Sequence, residues 1–264
     1  MTVLTRQGSD KTFDSRVHVV QVDYESLDSL KAALSGQDAV VNTLNVGAVP
    51  KSTHLRLIDA AVATGVKRFI PSEYGCDTTN PLVSKLPVFG DKVGIREYLE
   101  NVAQKSSLSY SLLVTGPFLD WGIEKGFLLN LAGPVTLYDG GDRRFSATTL
   151  SGVGKGVVGI INNLEATENS LVYINDARVT QNELLELFGK SLETKIVQTT
   201  DLEQEAFAEL AKPAPNPATF APKFILRAIF GEGFGSLFDS DKVSNELFGL
   251  KTLSKEELRS LTRQ

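Results

Sequence analysis

Lys92 is the residue whose position asks most for a chemical explanation. Val88, Ile95, Leu99 and Val102 recur at helical spacing, and the gap in that apolar stripe is filled by Lys92. An ammonium in the inward stripe of a helix is costly unless something pairs with it. Two readings follow from the pattern alone. The side chain can snorkel past the apolar face or pair with Glu73, or it can serve as a proton donor or base in a reaction.

Ser72, Glu73 and Tyr74 leave the preceding strand toward the same helix. A tyrosine beside a lysine can polarise a carbonyl during hydride transfer. Such pairs usually place the tyrosine four residues before the lysine on one helix, and that position here is Val88. Tyr74 therefore reads as a wall or packing residue, with contact to a substrate as its functional role. Phe118 and Trp121 follow the next strand. Phe118 can stack on a flat ring, and Trp121 can line an apolar substrate pocket or fill core space.

The elements that must position these residues alternate in type. Short continuous apolar runs at Thr2 to Thr5, Val17 to Val22, Ala39 to Leu44, Arg68 to Ile70 and Tyr110 to Val114 read as strands covered on both faces. Amphipathic stretches at Leu27 to Leu34, Thr53 to Thr64 and Val88 to Gln104 read as helices between them, with Ser26 as a cap and Gly36 and Gly65 as stops. This is the rhythm of βαβ units, hence an α/β, Rossmann-like doubly wound parallel sheet. Ligands in such sheets lie beyond the carboxyl ends of the strands. Those ends carry Arg6, then Asp23 and Tyr24, then Asn45, Val46 and Gly47, then Ser72 and Glu73. A basic residue just past the second strand of such a fold is placed to meet the 2′-phosphate of NADP, or is simply an exposed strand-end arginine. Asp23 and Tyr24 can frame adenine or turn the chain, and Asn45 and Val46 can approach pyrophosphate or ribose.

After Pro117 the rhythm changes. The pattern predicts helices at Asp120 to Leu131, Gly152 to Asn162, Thr180 (as a cap) to Phe188, Phe224 to Phe230, Val243 to Phe248 and Lys255 to Thr262. It predicts strands at Pro134 to Tyr138 and Leu171 to Ile174, and an ordered loop at Lys212 to Pro222. The four glycines in Gly152 to Asn162 suggest close packing more than helicity. This gives a dinucleotide-binding part over 1–118 and a mixed substrate-binding region over 119–264, some of which packs back on the first part.

Composition narrows the class. The 27 basic and 32 acidic residues give a formal net charge of −5, which argues against nucleic acid or an anionic membrane as the main partner. One cysteine, Cys76, forbids an intramolecular disulfide and fits a reducing compartment, so a cytoplasmic location is expected. With two histidines, a metal site of ordinary ligation has little support. There is no hydrolase-type nucleophile elbow, and Gly152 to Gly156 has neither the spacing nor the ending of a phosphate loop.

The chain resembles the NmrA-like and isoflavone-reductase-like family, an atypical branch of the short-chain dehydrogenase fold. The resemblance rests on Val3-Leu4-Thr5-Arg6, on Gly36 to Val41, and on Gly65-Val66-Lys67-Arg68-Phe69-Ile70-Pro71-Ser72-Glu73-Tyr74-Gly75. It continues through Lys92, Arg96, Gly116-Pro117-Phe118 and Leu171 to Asp176, weakening after about Glu193. Phe118-Leu119-Asp120-Trp121 looks more like the fungal branch. The resemblance implies that Arg6 reads the NADP 2′-phosphate, that Lys92 contacts the cofactor and takes part in proton transfer beside the nicotinamide, and that Phe118 packs near the nicotinamide. It implies NADPH-dependent reduction of a small aromatic, phenolic or polyketide-like secondary metabolite by a monomer or homodimer. It also admits a non-catalytic NAD(P)-binding regulator, or an inactive truncated member.

Two departures stand out. The family's glycine-rich turn, with its strand and helix, is missing ahead of Thr2. That strand is central in the sheet, so unpaired edges are expected, and either a longer natural chain or poor dinucleotide binding. Gly152 stands where relatives often carry an aspartate.

Overall fold

The computed structural model describes residues 1–131, 133–188 and 192–261. Two compact units are each assembled from three stretches of chain. The first holds residues 1–72, 94–112 and 164–170, and the second holds 73–93, 113–163 and 171–264.

The first unit begins with β1 (Thr2–Arg6) and β2 (His18–Val22), paired in parallel. α1 (Leu27–Leu34) follows, its Ser26 side chain accepting from the Ser29 N–H at 3.2 Å. Leu30 and Leu34 turn inward, and Gly36 takes the left-handed conformation that ends the helix. β3 (Ala39–Val41), α2 (Lys51–Ala63) and β4 (Arg68–Ile70) repeat the unit, and β3 and β4 pair in parallel. A 3-10 turn at Pro87–Phe89 leads into α3 (Gly90–Ala103), which is followed by β5 (Ser109–Val114). Val20, Val22, Leu30, Leu57, Ile58, Phe69, Ile95 and Leu99 share one core.

The sequence pattern carries β3 through Leu44, but the strand stops at Val41. Asn42 is the reason: its side chain accepts from the Leu44 N–H at 3.0 Å and so folds the chain into a turn. Val88 likewise lies in the 3-10 turn rather than in the helix, because Pro87 opens that turn.

The central feature of this unit is its split sheet. β1 and β2 form a two-stranded sheet, while β3 begins a separate sheet of order β3-β4-β5-β8, where β8 is Ser170–Tyr173. A doubly wound order would set one more strand between β1 and β3. No described residue fills that place, so both strands are sheet edges. Val41 is accordingly 36% exposed, whereas Phe69 and Ile70 of the doubly paired β4 are fully buried. Amide hydrogen exchange tests the consequence. The amides of β1 and β3 are expected to exchange at least about a hundredfold faster than those of β4, because edge strands open at much lower free energy. Equal protection in all three would mean the edges are covered in solution.

The second unit contains α4 (Leu119–Glu124), β6 (Val135–Tyr138), β7 (Phe145–Ala147), α5 (Leu150–Asn162), β9 (Ala177–Val179) and α6 (Gln181–Leu187). It ends with β10 (Thr194–Val197), α7 (Thr199–Leu210), α8 (Pro217–Phe230) and α9 (Lys255–Ser260). β6 pairs with β10 in parallel and β7 with β9 antiparallel. Thr180 and Glu183 complete the capping box expected of them. The glycines of α5 serve contact: a Cβ on Gly156 would lie 2.4 Å from Ile174, and one on Gly159 would lie 2.4 Å from Phe248.

Several expectations for this unit fail locally. The helix after Pro117 ends at Glu124, where Gly126 takes a positive φ and the Gly122 carbonyl accepts from both Phe127 and Leu128. The proline-rich segment is a loop only as far as Asn216. Asn216 then caps α8, Pro217 suits its first turn, and Pro222 is carried inside the helix. Residues Val243 to Phe248 form turns rather than a helix, and the Ser244 amide donates to the Tyr173 carbonyl at 2.8 Å. The expected last helix stops at Ser260, and Thr262 lies outside the described residues.

Candidate functional site

In the first unit, Arg6 closes β1 as an exposed residue, and no described side chain pairs with it. Its charge reaches the Tyr24 phenol. Burial raises that phenol's pKa, and Arg6 acts in the opposite direction. The Tyr24 hydroxyl donates to the Leu4 carbonyl at 3.1 Å, which ties the end of β2 to β1. Beside Arg6, the Thr5 hydroxyl is buried with no hydrogen-bond partner among the described residues. Asp23 is exposed, and its carboxylate accepts from the Glu25 N–H at 2.9 Å, the chain-turning arrangement.

The segment after β3 is fastened from within. Asn42 is buried, with its amide nitrogen 3.0 Å from His54 Nδ1. The Asn45 carbonyl accepts from Ala48 and Val49, and Val46 bridges to Val49 around Gly47 at φ +95°. Asn45 itself is exposed, while Val46 and Ser72 are half-buried.

A second set of residues, missed as a group by sequence reasoning, surrounds the Arg68 guanidinium. It donates to Ser109 Oγ at 2.9 Å, Ser111 Oγ at 2.7 Å, Thr167 Oγ1 at 2.8 Å and carbonyl at 3.2 Å, and the Leu164 carbonyl at 2.6 Å. Arg68 is 2% exposed. Its acceptors lie up to 99 positions away in sequence, so only the fold could show them.

In the second unit, Lys92 Nζ donates to the backbone carbonyl of Glu73 in a short hydrogen bond. This partly meets the expectation of a Glu73 pairing, through the main chain rather than the carboxylate. The Glu73 carboxylate is itself buried and accepts from Thr78 Oγ1 at 3.0 Å. Two residues on, the Gly75 carbonyl accepts from the Gly116 N–H at 3.0 Å. Gly116 must be glycine: its φ is +62°, and a Cβ would stand 2.1 Å from the Ser146 carbonyl oxygen. Burial pushes the Cys76 thiol up to about 11, with the Lys92 ammonium pulling the other way. The Tyr74 hydroxyl is buried without a partner among the described residues, and burial raises its pKa well above the usual phenol range.

Phe118 caps α4, half-buried, and bridges to Thr148. Trp121 is 42% exposed and packs on Phe127 with ring centroids 6.0 Å apart. Asp120 accepts from the Leu150 N–H at 3.1 Å at the start of α5. Gly152 also has its reason. A Cβ there would lie 2.3 Å from Asp176 Oδ2, and the Asp176 carboxylate already takes the Thr149 N–H at 2.8 Å. An aspartate at 152 has no room while Asp176 is so placed.

A cavity of about 420 Å³ lies between β1–β2 and α1, lined by Thr2, His18, Val20, Ser29 and Ala33, and none of the candidate residues borders it. Among the described residues, no group of three or more His, Cys, Asp or Glu is placed to hold a metal ion, and no helix is long and apolar enough to cross a membrane.

Parallel strands joined by helices, with polar residues at the strand ends, define a Rossmann-like α/β protein. The chain belongs to the NmrA-like family, whose model matches residues 3–234. An oxidoreductase of Aspergillus flavus, aprR, is 32% identical over 98% of this chain and 88% of its own length. The isoflavone reductase homolog IRL of Zea mays is 28% identical over 93% of this chain and 77% of its own. Among solved structures, the leucoanthocyanidin reductase–NADPH complex from Vitis vinifera has the same fold, with a TM-score of 0.76 at 18% identity, covering all of this chain and 91% of that one.

Proposed function

We propose that the chain is an NADP(H)-dependent oxidoreductase acting on a small aromatic, phenolic or polyketide-like metabolite, with Lys92 assisting proton transfer. The observation that carries the reading is Lys92 itself, a half-buried ammonium held on the carbonyl of Glu73 in a family whose fungal relative aprR is an oxidoreductase. Arg6 fits the cofactor as an exposed cation at the end of β1, with no carboxylate paired to it among the described residues, which suits a phosphomonoester.

Arg6 is assigned to the 2′-phosphate, with Asp23, Asn45, Val46 and Ser72 as further contacts at the strand ends. When bound, the reduced nicotinamide supplies a hydride. Lys92 gives a proton to the substrate oxygen as negative charge develops there. Glu73 holds the ammonium in place, and Tyr74, Phe118 and Trp121 supply apolar or aromatic surface for a flat substrate.

Titration with NADPH and NADH, read by nicotinamide fluorescence, tests the assignment. Arg6→Ala is expected to raise the Kd for NADPH by about tenfold to a hundredfold, the range for a charge-assisted contact, and to leave NADH almost unchanged. Unaltered NADPH affinity would remove Arg6 from the site.

A further inference from the structure

We infer that Thr78 is a positioning residue for Lys92, acting through Glu73; this rests on the proton-transfer role given to Lys92 above. Lys92 Nζ is held by the Glu73 main-chain carbonyl. Glu73 is 3% exposed, and Thr78, 2% exposed, donates its hydroxyl to the Glu73 carboxylate at 3.0 Å. Side chain and carbonyl hang from one Cα, so the direction of the carbonyl is coupled to where the carboxylate is fixed.

The next peptides are fixed as well, through the bond from the Gly116 N–H to the Gly75 carbonyl. Glu73 is thus gripped at its side chain and just beyond its main chain, and Lys92 is aimed by the group between. A buried carboxylate that loses one of its donors shifts toward the partners that remain. Removing the Thr78 hydroxyl therefore slackens the carbonyl that holds Lys92. Gly75 leaves this arrangement unobstructed, since even a Cβ there would stay 3.8 Å from Lys92 Nζ.

The test needs no cofactor or substrate. Pulse acetylation of the full chain with acetic anhydride, read by peptide mass spectrometry, gives the reactivity of each lysine. Thr78→Val keeps the shape and deletes the hydroxyl. It is expected to raise Lys92 labelling about fivefold over exposed Lys105, the worth of about one hydrogen bond, while Thr78→Ser stays at the wild-type rate. Lys223, partly buried and paired with Glu205, serves as the control for general loosening and keeps its rate. An unchanged Lys92 rate in Thr78→Val overturns the inference, and so does a parallel rise at Lys223. If Thr78→Val does not fold, Thr78→Ala makes the same deletion with a smaller side chain and is held to the same outcomes. A catalytic Lys92 with an insensitive labelling rate would sink this inference alone; a dispensable Lys92 would sink the functional reading, whatever the labelling shows.

Discussion

Arg68→Met is expected to lower the thermal midpoint by about 10 °C, the largest stability effect of any single side chain in the first unit. The guanidinium makes five hydrogen bonds, all to neutral acceptors from β5 or from residues 164 and 167. Burial lowers its pKa from the ordinary value, and the charge of Glu168 acts the other way. A guanidinium nonetheless stays protonated near neutral pH, so the desolvation it suffers is offset by those five bonds. Methionine keeps the stem but deletes all five donated bonds, while Ser109 Oγ and Ser111 Oγ keep their own bonds to the Lys67 and Thr167 carbonyls. At roughly 0.5–1.5 kcal/mol for each hydrogen bond lost, the loss comes to about 4 kcal/mol. For a chain of this size, each kcal/mol shifts the midpoint by about 2–4 °C. Arg68→Lys retains the charge but cannot present five donors in a fork, so it is expected to recover less than half of the loss. Calorimetry of the three proteins decides it. A shift below about 3 °C for Arg68→Met would mean the serines and threonine find other partners at little cost.

That cluster also shows where sequence reasoning reaches its end. The strand at Arg68–Ile70 was legible because three apolar-rich residues after a helix stop can hardly be anything else. Nothing local marked Arg68 within it, since its acceptors sit on distant segments. Lys92 was legible for the opposite reason: a charge in an apolar stripe is a local conflict, visible without the fold. Thr78 carried no such signal, because a threonine in a turn-rich segment is ordinary. The gap between β1 and β3 could be inferred from the order of elements, and the split between the β1–β2 pair and the β3-β4-β5-β8 sheet is its physical expression. The second unit was read less well. Its short helices and turns are set by tertiary hydrogen bonds, such as that from the Ser244 amide to Tyr173, which override local propensity.

Lys92→Met is expected to cut turnover about a hundredfold to a thousandfold at saturating NADPH while changing NADPH affinity by less than about twofold. The argument begins with the hydrogen bond to the Glu73 carbonyl, which fixes the ammonium without neutralising it. A main-chain carbonyl cannot take the proton away, so the proton stays available to a substrate oxygen that becomes negative as hydride arrives. Methionine matches the length of the stem, yet it carries no proton. Lys92→Arg separates the two roles of a cation. It keeps positive charge for electrostatic stabilisation but gives up its proton far less readily, and it is expected to remain at least about tenfold below wild type. A panel of phenolic ethers, isoflavone-like ketones and quinones supplies the substrate, with NADPH oxidation as the readout. Wild-type rates in Lys92→Met would exclude the lysine from the chemistry. Full recovery in Lys92→Arg would instead assign it charge stabilisation without proton transfer. Binding of NADPH with no turnover of any panel member by the wild-type chain would favour a regulatory NAD(P)-binding protein, in which a proton held at the Glu73 carbonyl has no reaction to serve.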